Sequence, residues 1–284
     1  MAEVMIIKIA ESSGFCFGVE KAVSKAFEAT EEKANKSIYS LGPIIHNNQV
    51  IDRLKDSGLD VIESIKDIDE GTVIIRSHGV GKSVYEEANI KQIDLIDTTC
   101  PFVKRIQNIV KDYHLKGYQI VIIGNPKHPE VKGINGWCQG QGIIIQDIED
   151  IPEDQTFENI CIVVQTTMPL KKFHELSGIL EKMGKHVKKF DTTCFATKER
   201  QEAALDLAGQ VDAMIVIGGF NSSNTQKLVN ICKELLPDST YHIETAEGLS
   251  GKDLSRFERV GVTAGASTPD WVIQDVIRYL NKFK

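Results

Sequence analysis

The chain has 284 residues, of which 42% are hydrophobic and 26% charged, with a formal net charge of −7. That length allows two or three small domains with a substantial core. The acidic balance argues against nucleic acid as the main partner, and no apolar run is long enough to cross a bilayer.

Read in chain order, Met1 to Ala10 forms a strand carried by Val4, Ile6, Ile7 and Ile9 and lacks the basic start and cleavage site of a secretory signal. A cytoplasmic location is therefore expected, where cysteines more often bind metals or react than form structural disulfides. After Cys16 the apolar positions Val19, Ala22, Val23, Ala26 and Phe27 recur at helical spacing. Strands are expected at Ser37–Leu41, Val73–Arg76, Ile120–Gly124, Ile160–Gln165, Ala213–Gly218 and Arg259–Thr263. Most are followed by a polar or glycine-bearing turn and a helix-like stretch, the signature of α/β layers with mostly parallel sheets.

The strands fall into three sets. Asp-Thr-Thr-Cys occurs twice, ending at Cys100 and Cys194, and Cys16 stands at the same kind of junction. Each cysteine leads a helix, and each is followed by a strand and a polar loop. His46, His128 and Asn224 in those loops lie 30, 28 and 30 positions after Cys16, Cys100 and Cys194. A second strand and loop close each set, bringing His78, Thr166 and Ser267 at offsets of 62, 66 and 73. Three small α/β domains are expected around a pseudo-threefold axis: 17–99, 100–193, and 194–284 together with the N-terminal strand 1–16. Loops past the C-terminal ends of parallel strands face the binding crevice in such folds.

Pro101 suits the first helical position and makes Cys100 the N-cap, where the helix dipole favours a thiolate. Asp-Thr-Thr is expected to cap that helix and position the thiolate. Cys138, Cys161 and Cys232 read as small buried hydrophobes. No Cys-x-x-Cys pair is present, so a zinc knuckle does not fit. Three thiolates suit an iron–sulfur cluster with one iron free of protein ligand, and a catalytic zinc held by three cysteines competes on spacing alone. His114, His174, His186 and His242 fall in helix-like or surface-like contexts. His46, His78 and His128 sit in strand-end loops and, with Thr166, Ser222, Asn224 and Ser267, form a dense donor set suited to phosphate or diphosphate. There is no P-loop. Glu130, after His128-Pro129, reads equally as a proton relay or as a helix-start glutamate.

In Gly-Phe-Cys16-Phe-Gly-Val, Leu-Gly-Pro-Ile-Ile-His46-Asn, Arg-Ser-His78-Gly, Asp-Thr-Thr-Cys100-Pro, Lys-His128-Pro-Glu130-Val, Gln-Thr166-Thr167, Asp-Thr-Thr-Cys194, Asn-Ser222-Ser223-Asn224 and Ala-Gly-Ala-Ser267-Thr-Pro, the chain resembles the 4-hydroxy-3-methylbut-2-enyl diphosphate reductases. The resemblance runs from about Glu11 to Trp271. It implies three α/β domains around a central [4Fe-4S] cluster held by Cys16, Cys100 and Cys194, which oxidation can reduce to a [3Fe-4S] form or remove. It implies diphosphate binding by His46, His78, His128, Ser222, Ser223, Asn224 and Ser267, a substrate contact from Thr166, and proton delivery by Glu130. The implied reaction is reductive dehydroxylation to isopentenyl and dimethylallyl diphosphates, with electrons from a ferredoxin or flavodoxin and no nucleic acid or membrane partner. An iron–sulfur hydro-lyase acting on a phosphorylated small molecule is the alternative enzyme reading, and a metal-containing sensor of a phosphorylated metabolite is the non-enzymatic one.

Overall fold

Short β-branched runs make parallel strands here, and the longer amphipathic stretches between them make crossover helices. The computed structural model describes residues 5–32, 37–152 and 155–283, so Val4 of the expected N-terminal strand lies outside the described residues. In chain order the elements begin with β1 (Ile6–Ile9), α1 (Phe17–Glu32), β2 (Ile38–Leu41), α2 (Asn48–Asp56), β3 (Leu59–Ile62), β4 (Thr72–Ile75), α3 (Lys82–Lys91) and β5 (Asp94–Asp97). They continue with α4 (Pro101–Leu115), β6 (Gln119–Ile123), α5 (Pro129–Asn135), β7 (Ile143–Ile145), β8 (Phe157–Val164), α6 (Leu170–Leu180) and β9 (Gly184–Lys189). The chain ends with α7 (Phe195–Ala208), β10 (Ala213–Ile217), α8 (Ser223–Leu235), β11 (Thr240–Ile243), β12 (Arg259–Ala264) and α9 (Asp270–Leu280).

These strands build three four-stranded sheets, ordered β3-β2-β4-β5, β7-β6-β8-β9 and β11-β10-β12-β1. Every pairing is parallel. The three orders are one order: a central pair, an outer strand after the first, and an outer strand after the second. In the third sheet the last place is taken by the chain's first strand, with Ile6 opposite Arg259 and Ile9 opposite Val262. Central strands such as β4 and β10 are buried along their whole length, as sheets covered on both faces require. Those central strands are the ones expected from the sequence. The outer strands are half-exposed, as in β5 and β9.

Contacts divide the chain into two compact units. One comprises 1–20, 46–52 and 195–284, and the other 21–45 and 53–194. The first holds the β11-β10-β12-β1 sheet. One face of it is covered by α9 through Val272, Ile273, Val276 and Leu280, the other by α7 and α8 through Ala204, Leu207, Leu228 and Cys232. The second unit holds the other two sheets. On β6 and β8, Ile106 and Val110 of α4 and Val131 and Ile134 of α5 cover one face, with Cys138 and Cys161 among them. Phe173, Leu176 and Leu180 of α6 cover the other. Burial pushes the Cys161 and Cys232 thiols up to about 12 and raises that of Cys138 as well, in keeping with their reading as packing residues.

Candidate functional site

The three remaining cysteines share one structural address. Each follows an outer strand and precedes a helix: Cys16 between β1 and α1, Cys100 between β5 and α4, Cys194 between β9 and α7. Each donates its backbone N–H to the loop just past the second central strand: Cys16 to Ala266 O at 3.3 Å, Cys100 to Ser77 O at 2.9 Å, and Cys194 to Thr166 O at 2.9 Å. The repeat seen as a spacing is therefore a repeated hydrogen bond that docks every cysteine beside a candidate binding residue: Ser267, His78 or Thr166. None of the six cysteines forms a disulfide.

Before α4 the Asp-Thr-Thr segment does not supply the helix cap expected of it. Cys100 is the N-cap of α4, with Pro101 at the first helical position, and no side chain caps it. Instead, Thr98 Oγ1 donates to Ile75 O, the last carbonyl of β4, at 2.5 Å. Thr192 Oγ1 donates to Val164 O, the last of β8, at 2.5 Å, and accepts from Val164 N at 2.9 Å. Asp97 and Asp191 each accept the backbone N–H two residues on, at 2.9 and 3.0 Å, an Asx turn. The tripeptide ties the cysteine loop to the neighbouring strand end. Burial acts to raise the Asp97 carboxyl, but hydrogen bonds from Lys104, Thr99 and Tyr85 outweigh it and hold Asp97 below its usual range. Before Cys16 no such tripeptide is present, and a backbone bond ties the loop to the strand end: Gly14 N, at φ +79°, donates to Ala264 O at 3.3 Å.

Within the larger unit four candidate residues meet. Glu130 is 2% exposed. Its Oε1 accepts Thr166 N and its Oε2 accepts Thr166 Oγ1, both at 2.7 Å. His128 is the N-cap of α5, and its Nδ1 accepts Glu130 N at 3.2 Å. That bond selects the tautomer with its proton on Nε2. The His78 ring lies edge-on to it, with centroids 5.3 Å apart. Glycine makes this approach possible. A Cβ on Gly133 would stand 3.0 Å from Gly79 O, and one on Gly136 would stand 2.5 Å from Gly81 Cα. Gln107 Nε2 and Trp137 Nε1 both donate to Val80 O, at 3.3 and 3.0 Å, fixing the His78 loop.

Within the other unit the polar loops after β10 and β12 gather around residues 46–48. Ser267 Oγ donates to His46 O at 3.2 Å, and a Cβ on Gly219 would stand 2.5 Å from that oxygen. Ser222 is the N-cap of α8, its Oγ accepting Thr225 N at 3.3 Å. Ser223 follows it, partly exposed. Asn224 is 5% exposed and neither atom of its amide has a hydrogen-bond partner. An orphaned buried amide in the first turn of a helix, among backbone N–H groups and hydroxyls, fits an anion.

Some residues of the two units were not singled out from the sequence. His242 is neither helical nor on the surface: it lies on β11, half-buried, with Nε2 2.9 Å from Gly218 O, and burial lowers its pKa. Glu244 accepts from Phe220 N at 3.0 Å and from Asn48 Nδ2 at 3.3 Å, linking the β10 loop to the start of α2. Gln165 is fully buried and accepts from Asn125 N at 3.0 Å. Only Gln165, adjoining Thr166, carried a positional hint.

The sequence model of the LytB protein family matches residues 7–281. A relative from Alkaliphilus oremlandii named 4-hydroxy-3-methylbut-2-enyl diphosphate reductase is 52% identical over 277 residues, 98% of this chain and 99% of that protein. One of the same name from Clostridioides difficile is 46% identical over 97% of this chain and 99% of its own length. A solved (E)-4-hydroxy-3-methyl-but-2-enyl diphosphate reductase, described as the terminal enzyme of the non-mevalonate pathway, superposes with a TM-score of 0.71 at 44% identity, covering 98% of this chain and all of that one. The reductase from Plasmodium falciparum gives a TM-score of 0.87 at 26% identity, covering 96% and 87%.

Proposed function

This chain belongs to the LytB protein family, and from that premise we propose that it reduces 4-hydroxy-3-methylbut-2-enyl diphosphate to isopentenyl and dimethylallyl diphosphates, the terminal step of the non-mevalonate route. The reductase names of its relatives favour this over the hydro-lyase reading. The observation that carries the chemistry is the Glu130–Thr166 pair: a buried carboxyl group held at both oxygens by one residue. Removing hydroxide from an allylic carbon requires a proton for the departing oxygen, and a fixed acid in a dry site delivers it.

Cys16, Cys100 and Cys194 would hold a [4Fe-4S] cluster with three protein ligands. Their chemistry fits: none is in a disulfide, and all three stand at one repeated strand-to-helix junction. Bound there, such a cluster supplies electrons and a Lewis-acidic iron. Ser222, Ser223, Asn224, Ser267, His46, His78 and His128 would bind the diphosphate. The orphaned amide of Asn224 is the strongest single support for an anion there. Thr166 holds Glu130 in position and would contact the reacting end of the substrate. Glu130 would take up a proton and pass it to the leaving oxygen. A ferredoxin or flavodoxin in the cytoplasm would supply the electrons.

Anaerobic purification and reconstitution, followed by analysis of iron, acid-labile sulfide and zinc, tests the cofactor. Iron and sulfide in equal amounts are expected in the parent protein, with loss of both in Cys100→Ser. Zinc in place of iron, or an intact cluster in Cys100→Ser, would overturn the assignment.

A further inference from the structure

Arg200 on α7 is 5% exposed, and no carboxylate pairs with it among the described residues. Its guanidinium bonds only to neutral backbone carbonyls. Nη2 donates to Gly14 O at 2.8 Å and to Phe15 O at 3.0 Å, Nε donates to Gly14 O at 3.2 Å, and Nη1 donates to Ala196 O at 2.7 Å, one turn back on its own helix. Gly14 and Phe15 are the two residues immediately before Cys16, and α7 starts immediately after Cys194. These bonds satisfy the donors but leave a full positive charge buried without a counter-ion, which is strongly unfavourable unless an anion stands near.

The Cys16 loop is also held from its other side. Cys16 N donates to Ala266 O, and a Cβ on Gly14 would lie 2.9 Å from Ile273 Cδ1 and 3.3 Å from Thr268 O. The loop is thus fixed between Arg200 and the end of β12. Lysine cannot replace this arrangement. The planar guanidinium reaches two successive carbonyls and its own helix at once, whereas an ammonium is a point charge on a flexible stem.

Resting on the iron–sulfur reading above, we propose that Arg200 is a positioning residue with two effects on the cluster: it clamps the loop that presents Cys16, and its buried positive charge stabilises the reduced state. A cluster held by three thiolates is anionic and gains negative charge on reduction. A fixed cation close to its ligand loop therefore favours the reduced form and raises the reduction potential. The clamp opposes opening of the loop and so slows loss of iron.

The test uses the reconstituted parent protein, Arg200→Gln and Arg200→Lys. Three quantities are read: iron and sulfide content, midpoint potential by spectroscopically monitored redox titration, and the rate of iron transfer to a chelator. Arg200→Gln is expected to have a more negative midpoint and to release iron roughly tenfold faster, the scale of one lost net hydrogen bond. Arg200→Lys is expected to keep a midpoint near the parent value while still releasing iron faster. A parent-like midpoint and parent-like release in Arg200→Gln would overturn the proposal. Should Arg200→Gln fail to fold, Arg200→Lys decides, because parent-like iron release there would remove the clamp. Absence of a cluster from the parent protein would instead sink the functional reading on which this rests.

Discussion

Replacing Glu130 by Gln separates a proton donor from a structural carboxylate. The carboxylate accepts two hydrogen bonds of 2.7 Å from Thr166, one from the backbone N–H and one from the hydroxyl. A glutamine fits the same space. Its oxygen accepts from Thr166 N, and its NH₂ group donates to Thr166 Oγ1 once the hydroxyl rotates, because a hydroxyl serves either role. The stability lost is then the difference between two charge-assisted bonds and two neutral ones, about 1–2 kcal/mol. The catalytic loss is larger, because a carboxylate can take up a proton and pass it on whereas an amide cannot: about 10²–10⁴-fold in turnover, or roughly 3–5 kcal/mol of barrier. The assay is anaerobic turnover at equal iron content, with chemical denaturation run alongside. Turnover within about threefold of the parent at equal iron content would refute proton delivery by Glu130. Loss of the cluster or gross unfolding would show that the carboxylate serves structure first.

Thr192→Val removes a donor to Val164 O and an acceptor for Val164 N, both buried. It should cost about 2–6 kcal/mol in urea denaturation, given ~1–3 kcal/mol for each buried group left unpaired, and unchanged stability would contradict the strand-anchoring role of the tripeptide. Asn224→Ala deletes a buried amide with no partner. It should leave stability unchanged or higher, while affinity for inorganic diphosphate measured by calorimetry falls about 10–100-fold. A clear loss of stability would show that the amide serves the fold. Burial lowers the His242 pKa from 6.5, so the unfolded chain binds its proton at higher pH than the folded one. Stability should therefore decline as pH falls from 6.5 toward the folded value. That slope should flatten in His242→Gln, and an identical slope in both proteins would refute this account.

The central strands were legible because burial on both faces makes them continuous β-branched runs, as in Ala213–Ile217. The outer strands were not, apart from β1, which shows an apolar run of its own. β9 reads Gly-Lys-His-Val-Lys-Lys, since one of its edges and much of its surface face water, and Asp94–Asp97 begins and ends with aspartate. The outer strands nevertheless set the address of every cysteine. The cysteines themselves were visible as a repeat with regular offsets. What the repeat concealed was its mechanism: the hydrogen bond from each cysteine N–H reaches a loop 23 or 28 residues upstream for Cys100 and Cys194, and at the far end of the chain for Cys16. The same distance hid Arg200, whose partners are about 185 positions away. Glu130 illustrates the limit from the other direction. Its sequence context suits a helix-start glutamate as well as an acid, and it does stand in the first turn of α5; its burial and its two bonds to Thr166, 36 residues on, are the support for the acid reading that the sequence could not give.

The central claim is that this protein is a reductase of an allylic diphosphate, and anaerobic turnover tests it most directly. The reconstituted protein is incubated with 4-hydroxy-3-methylbut-2-enyl diphosphate, with and without a chemical reductant, and the products are identified by mass spectrometry. Isopentenyl and dimethylallyl diphosphates formed only when reductant is present are the predicted result. Substrate conversion that proceeds equally without reductant, or no conversion by protein with a full iron–sulfur complement, would contradict it.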